Sequence, residues 1–216
     1  MVARICCVLM GYAFGLIQTS YIYGKMHHVD IRNQGSGNAG TTNAIRTFGS
    51  KVGIMVFAID CLKCIAAVLV AHLVFGGMYP DIVKLLGVYA GFGCILGHNF
   101  PVYMHFKGGK GIACTAGLII SFSWQLVIVG TIAFFPAVIV TKYVSLSSLM
   151  LSTSFFIGTI VMGQMGCFGM PQAVLTEMYI VVGIITFIAF YGHRTNIVRL
   201  INGNERKTHL FKSKNK

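Results

Sequence analysis

The stretch "VGIMVFAIDCLKCIAAVLVAHLVF", residues 52–75, is a long apolar run with one acid, Asp60, and one lysine, Lys63. At 1.5 Å per residue, a helix of this length exceeds the ~30 Å of hydrocarbon in a bilayer. Its apolar residues are continuous rather than alternating, which argues against a barrel strand. Similar runs lie near 4–23, 81–98, 125–141, 146–166 and 173–192. The 216-residue chain is 56% hydrophobic and only 10% charged, and its mean hydropathy is +0.76. A soluble domain would be about 25% charged. Without water, backbone groups must be satisfied within helices or closed barrels, and these runs select helices. The expected fold is an all-α integral membrane protein, one polytopic unit over 1–216. Arg4 before the first run also suits a signal peptide. No small-residue cleavage site follows, so the run reads as a retained span.

Residues 112–141 are long for one crossing and short for two. "SFSW" at 121–124 and Pro136 both interrupt them. Charge decides between the readings. All the Lys and Arg except Arg4, Lys63 and Lys84 fall in segments 24–51, 99–110, 142 and 193–216. The turns "GGMYPD" and "GCFGMPQ" carry none. The positive-inside rule places the four basic segments in the cytoplasm. Lys110 and Lys142 share a side only if an even number of crossings separates them. The expectation is therefore a bundle of seven helices, some short or broken, with cytoplasmic glycine-rich loops. Its N-terminus is outside and its C-terminus inside. The alternative is six helices, with the tail outside.

The net charge of +12 follows from these basic loops and does not call for nucleic acid. The tail "RKTHLFKSKNK" adds attraction to anionic headgroups. The seven cysteines form no zinc-ligand pattern, and Cys61-x-x-Cys64 lies inside a span, where packing is the simpler role. No metal and no cofactor is expected.

Between the first two spans lies "RNQGSGNAGTTNAIR", 32–46. Gly35, Gly37 and Gly40 spell G-x-G-x-x-G, with Asp60 about twenty residues on. A dinucleotide site needs a preceding strand; "YIYGKMHHVD" is not one, and Asp60 is within a span. A Walker A loop fails because Gly111, not Ser or Thr, follows Lys110. The loop reads instead as an anion-binding nest, in which glycines turn backbone N–H groups toward one point. Ser36, Asn38, Thr41, Thr42 and Asn43 add neutral donors, and Arg32 and Arg46 add charge. A second loop, "GHNFPVYMHFKGGKGIA" at 97–113, places Lys107, Gly108, Gly109 and Lys110 before a span N-terminus, where free N–H groups favour anions. A third, "GHRTNIVRLINGNE" at 192–205, offers His193, Arg194, Asn196 and Arg199. "KYVSLSS" at 142–148 adds hydroxyls. Four such elements suggest more than one phosphate.

Together, "GSGNAGTTNAIRT", "GHNFPVYMHFKGGKG", "HRTNIVRLINGNE" and the D-x-x-K pair Asp60 and Lys63 resemble the acyl-phosphate-dependent glycerol-3-phosphate acyltransferases, the PlsY family, over essentially the whole chain. Thr41 stands where that family usually has Ala, and Cys64 where it usually has Gly. The resemblance implies transfer of a fatty acyl group from acyl phosphate to the 1-hydroxyl of sn-glycerol 3-phosphate. The products would be lysophosphatidate and phosphate, the first acylation of phospholipid synthesis. It implies a bacterial inner-membrane location, and the enzyme that makes acyl phosphate as a partner. It also implies that Ser36 and the loop amides of Gly35, Gly37 and Gly40 hold acyl phosphate. Arg46, Lys107, His193 and Asn196 would hold glycerol 3-phosphate, and Ser145 or Ser148 would line the shared pocket. Thr41 lies within the same loop motif, as do Gly108 and Gly109 in theirs. Lys110, Asn38, Thr42, Asn43 and Glu205 are further candidates. The Asp60–Lys63 pair reads as structural. No His is followed by the Asp of an H-x4-D pair, as thioester-using acyltransferases often have. The alternative function is a membrane anion transporter, which glycine loops beside broken helices also suit, although no repeated half is visible.

Overall fold

The computed structural model describes residues 1–208. The tail beyond, where part of the headgroup attraction was expected, lies outside the described residues. These form ten α-helices joined by short turns, with no strand among them: α1 Val2–Gly15, α2 Thr19–Met26, α3 Thr41–Phe48, α4 Ser50–Phe75, α5 Val83–Asn99, α6 Ile112–Phe122, α7 Trp124–Thr141, α8 Val144–Gln164, α9 Gln172–Gly192 and α10 Arg194–Ile201. Six helical segments are long and apolar enough to cross a membrane: Val2–Met26, which contains α1 and α2, the segment Pro80–Met104 around α5, and α4, α7, α8 and α9. The shorter apolar helix α6 makes the seventh.

Residues 112–141 are thus two helices. The break is at Ser123, whose backbone is extended at φ −158° and ψ 123° and whose Oγ accepts from Leu126 N at the start of α7. The expected interruption at Pro136 does not occur; Pro136 lies inside α7. A membrane helix tolerates an interior proline where neighbouring groups re-satisfy the freed carbonyl. The other departure is in the first span, which stops after Gly15 and resumes at Thr19.

α6, with 11 residues, is about 16 Å long. It still reaches the far end of the bundle, where Phe122 meets Phe168 edge-on at 4.9 Å between ring centroids. Its N-terminus therefore begins deep between the longer helices. The remaining depth on that side is non-helical loop, which is tolerated at membrane depth where it lines a cavity.

Close packing of α1 on α5 rests on facing small residues. Gly11 and Gly15 on α1 meet Ala90, Cys94 and Gly97 on α5, and Gly93 meets the Val8 carbonyl. Small residues spaced by four let two helix backbones approach in the membrane, where no hydrophobic force drives association. A Cβ at Gly93 would collide with the Val8 carbonyl, so the helices would have to separate. Gly93→Ala should cost about 1–3 kcal/mol, and the melting temperature of the detergent-solubilised protein should fall by about 2–4 °C for each kcal/mol. An unchanged melting temperature would show that the contact contributes nothing.

Candidate active site

One end of the bundle holds a cavity of ≈ 870 Å³. Its walls are of two kinds. The polar wall comes from the connections after α2, before α6, around the start of α8 and after α9. The apolar wall includes Ile54 and Phe57 of α4, Ile119 of α6 and Val127, Phe134 and Phe135 of α7. Several apolar wall residues are also open to the surroundings of the bundle: Ile54 is 65% exposed and Phe135 50%. The cavity thus joins a cationic pocket to a surface that faces lipid.

The first turns of four helices, α3, α6, α8 and α10, line the polar wall. Each leaves backbone N–H groups without helical acceptors, and none has a side-chain cap. Gly111 precedes α6 with φ 77°, a left-handed conformation that glycine adopts without strain. Such helix ends attract anions. Cations add to this. Lys110, Arg46, Arg194, Arg199 and Arg206 all line the cavity.

Arg46 has no hydrogen-bond or ion-pair partner among the described residues. Burial lowers its pKa, Arg206 and Arg199 lower it further, and Glu205 opposes them. Burial also pulls Lys110 down to about 8, against Glu205 and together with Arg199, Arg46 and Arg194. Lys110 Nζ donates to Asn196 Oδ1. His193 is 3% exposed, and its Nδ1 lies 2.8 Å from the Ala189 carbonyl. A carbonyl only accepts, so Nδ1 carries the proton and Nε2 is left as an acceptor. Burial, then Lys110, lower the His193 pKa to about 4, so the ring is neutral at pH 7.

Glu205 is the hub of the third connection. Its Oε1 accepts from Ser145 Oγ at 3.0 Å and Asn196 Nδ2 at 2.7 Å, and its Oε2 accepts from Arg199 Nε at 2.7 Å. Burial alone would raise its pKa; the bonds from Arg199, Asn196 and Ser145 hold it below the ordinary value. Those bonds occupy its carboxylate with protein groups. They order Ser145, Asn196 and Arg199 around it.

Of the residues singled out in the sequence, Gly35, Ser36, Gly37, Asn38, Gly40, Thr41, Thr42, Asn43, Arg46, Lys110, Ser145, Ser148, His193, Asn196 and Glu205 all line the cavity. Lys107, Gly108 and Gly109 do not. Hydrogen bonds from Gly108 N to Asn99 O and from Gly109 N to His98 O fold the loop back onto α5, which leaves Lys107 exposed. The nest also differs from expectation. Ser36 N donates to Asn43 Oδ1 at 2.8 Å, and Gly37 N to Gln34 O. Asn43, 1% exposed, also donates Nδ2 to Ile31 O and Gln34 O. Asn43 therefore braces the loop from inside. Donors still free for a ligand include the first turn of α3, the Ser36 hydroxyl and the Thr41 hydroxyl, whose buried Oγ1 has no partner among the described residues.

Among the lining residues not singled out in the sequence, Arg206 and His98 carry basic groups. Arg206 reaches back to donate to Gly35 O at 3.2 Å, in a segment tied down by Thr208 N on Lys142 O at 2.8 Å. His98 lines the wall beside Lys110. The basic tail read as a headgroup contact hid the first, and the apolar setting of α5 hid the second.

Residues 5–203 match the family of glycerol-3-phosphate acyltransferases. The chain is 38% identical over 206 residues to the glycerol-3-phosphate acyltransferase of Thermotoga petrophila, covering 94% of this chain and 96% of the relative. It is 38% identical over 207 residues to that of Bacillus subtilis, covering 93% and 95%. A crystal structure of PlsY, an integral membrane glycerol 3-phosphate acyltransferase in its glycerol 3-phosphate form, is similar with TM-score 0.82 and 31% identity, over 97% of this chain and 99% of that one. The lysophosphatidic acid form of PlsY gives 0.80 and 30%, over 96% of each chain. By sequence over nearly its whole length, and by fold, the chain belongs to the PlsY family of integral membrane glycerol-3-phosphate acyltransferases.

Proposed function

We propose that this acyltransferase moves a fatty acyl group from acyl phosphate to the 1-hydroxyl of sn-glycerol 3-phosphate, releasing lysophosphatidate and inorganic phosphate. The observation that supports this most is Arg46, without a hydrogen-bond or ion-pair partner among the described residues, in a pocket of four helix N-termini that opens onto a lipid-facing apolar wall. The pocket suits two phosphates, and the wall suits an acyl chain. Ser36, Asn38 and the first turn of α3 hold the donor phosphate. Arg46, Lys110, His193 and Asn196 hold glycerol 3-phosphate, and Ser145 and Ser148 line the space between. The enzyme that makes acyl phosphate is the expected partner.

In the transfer the substrate hydroxyl oxygen bonds to the acyl carbon, and the carbon–oxygen bond of the mixed anhydride breaks. The leaving phosphate takes the electron pair and then the hydroxyl proton. His193 Nε2 accepts a hydrogen bond from that hydroxyl and orients it; at a pKa of about 4 it does not keep the proton. An already activated donor needs positioning and a field that offsets the repulsion of two anions, more than it needs a strong base.

Purified protein should release phosphate from acyl phosphate only when glycerol 3-phosphate is present, and show little or no turnover with acyl-CoA. Equal rates with both donors would remove the phosphate-pocket assignment of the donor. The charged form of Lys110 predominates below about pH 8, and only that form attracts phosphate. For the free enzyme, kcat/KM for glycerol 3-phosphate should therefore fall as pH rises through about 8, and Lys110→Arg should move that limb well above pH 9 because guanidinium stays charged. An identical limb in both proteins would mean that another group titrates. Finally, the positive-inside orientation puts the cavity and the C-terminus in the cytoplasm and the N-terminus outside. A C-terminal reporter active only in the periplasm would reverse it.

A further inference from the structure

Asp60 and Lys63 of α4 and His98 of α5 form a buried cluster that the roles above leave unused. Lys63 is 5% exposed. Its ammonium meets three acceptors at hydrogen-bond distance: Ile17 O at 2.6 Å, Asp60 Oδ1 at 2.8 Å and His98 Nδ1 at 2.9 Å. Gly15 O lies further, at 3.5 Å. An ammonium has three protons and can only donate. His98 Nδ1 must therefore be the bare nitrogen, and the ring proton sits on Nε2. Asp60 Oδ1 is 3.8 Å from Nδ1, too far to accept from it. Asp60 is held by a bond from Thr19 Oγ1 at 3.1 Å.

The rest of His98 is equally fixed. Its carbonyl accepts from Gln18 Nε2 at 2.9 Å and from Gly109 N at 3.0 Å. Its Nε2 lies against Gly109, where any Cβ would overlap it. Nε2 has no hydrogen-bond partner among the described residues, and His98 lines the cavity one loop residue away from Lys110. A protonated ring nitrogen held this firmly on the wall of an anion pocket is a preorganised donor.

We infer that His98 Nε2–H donates a hydrogen bond to an anionic oxygen of the substrates in the cavity, and that Lys63 and Asp60 are positioning residues that fix its tautomer. The inference rests on the acyl-transfer reading above. The oxygen belongs either to a bound phosphate or to the acyl carbonyl as charge develops on it during attack, and kinetics separate the two.

The test compares His98→Phe, which keeps a ring and loses the donor, with His98→Gln, which keeps an N–H near the same place. In the purified full-length protein, His98→Phe should lose about ten- to hundredfold in kcat/KM, the scale of a hydrogen bond to a charged group. His98→Gln should recover most of it. A loss carried by KM assigns the bond to a phosphate; a loss carried by kcat assigns it to the carbonyl oxygen. Equal activity of the two variants, whether normal or equally impaired, would overturn the inference. A second measurement does not depend on the activity of the variants or on which donor is used. In protein labelled with ¹⁵N-histidine, the His98 signal, identified by its loss in His98→Gln, should report a protonated Nε2 and a bare Nδ1. A protonated Nδ1 would overturn the inference. Failure of the wild-type protein to use acyl phosphate would overturn only the donor assignment.

Discussion

A broken helix inside a membrane leaves carbonyls that lipid cannot satisfy, and here one ammonium meets them. The first span stops after Gly15 and resumes at Thr19; Lys63 Nζ bonds the Ile17 carbonyl and approaches that of Gly15. The negative end of α1 also favours a cation there. Asp60, one helical turn away on α4, balances the charge. An unpaired lysine near the bilayer centre would cost about 2.5–3.5 kcal/mol. Much of the active-site wall depends on this joint. α2 leaves the break at the angle that lets Ser20 Oγ hold the Ala39 carbonyl at 2.8 Å, and Ala39 lies in the glycine loop. Gln18, within the break, holds the His98 carbonyl, and His98 in turn holds Gly109 next to Lys110. The two glycine loops are then tied to each other by Asn38 Nδ2 on Gly108 O at 3.4 Å.

The short α6 sets the depth of the site. A full-length helix at that place would fill the pocket with side chains and carry Lys110 out to the membrane surface. With 11 residues, it brings its N-terminus, Gly111 and Lys110 down among the long helices. There the same cavity reaches both the polar loops and the lipid-facing flank between α4 and α7. A substrate with a phosphate at one end and an alkyl chain at the other can then lie across the boundary without either part being placed in the wrong solvent.

Much of this was legible in the sequence because its strongest signals are physical. Long apolar runs and basic loops on one side specify the spans, and the break at 121–124 was visible in "SFSW". The three glycine-bearing segments and "KYVSLSS" announced an anion site, and fifteen of their candidate residues do line one cavity. What was not legible depends on which way a loop turns. Lys107 and Lys110 are equivalent in a string; only the hydrogen bonds of Gly108 and Gly109 to α5 decide that one faces out and the other in. Asn43 looked like a donor to ligand, yet its buried amide is used up in bracing backbone. Pro136 looked like a breaker, yet α7 runs through it, as membrane helices can where neighbouring groups re-satisfy the freed carbonyl. Arg206 belongs to the site only because the chain folds back past Lys142, a tertiary event with no local signature.

The charge balance of the pocket favours turnover over retention. A phosphorylated substrate needs a positive field, and five Lys or Arg side chains line the cavity. Left alone they would repel one another, and they would hold a bound phosphate group tightly. Glu205 offsets part of this by engaging Arg199 and ordering Asn196 and Ser145. Burial offsets more: it brings Lys110 near the point of losing its proton and keeps His193 neutral. The field that remains comes from the cavity's Lys and Arg side chains other than Arg199, which pairs with Glu205, and from helix ends, whose dipoles are fixed in place and need no reorganisation when the acyl group moves. Such a pocket offers a fixed positive potential to a phosphorylated substrate without binding it so strongly that release becomes slow.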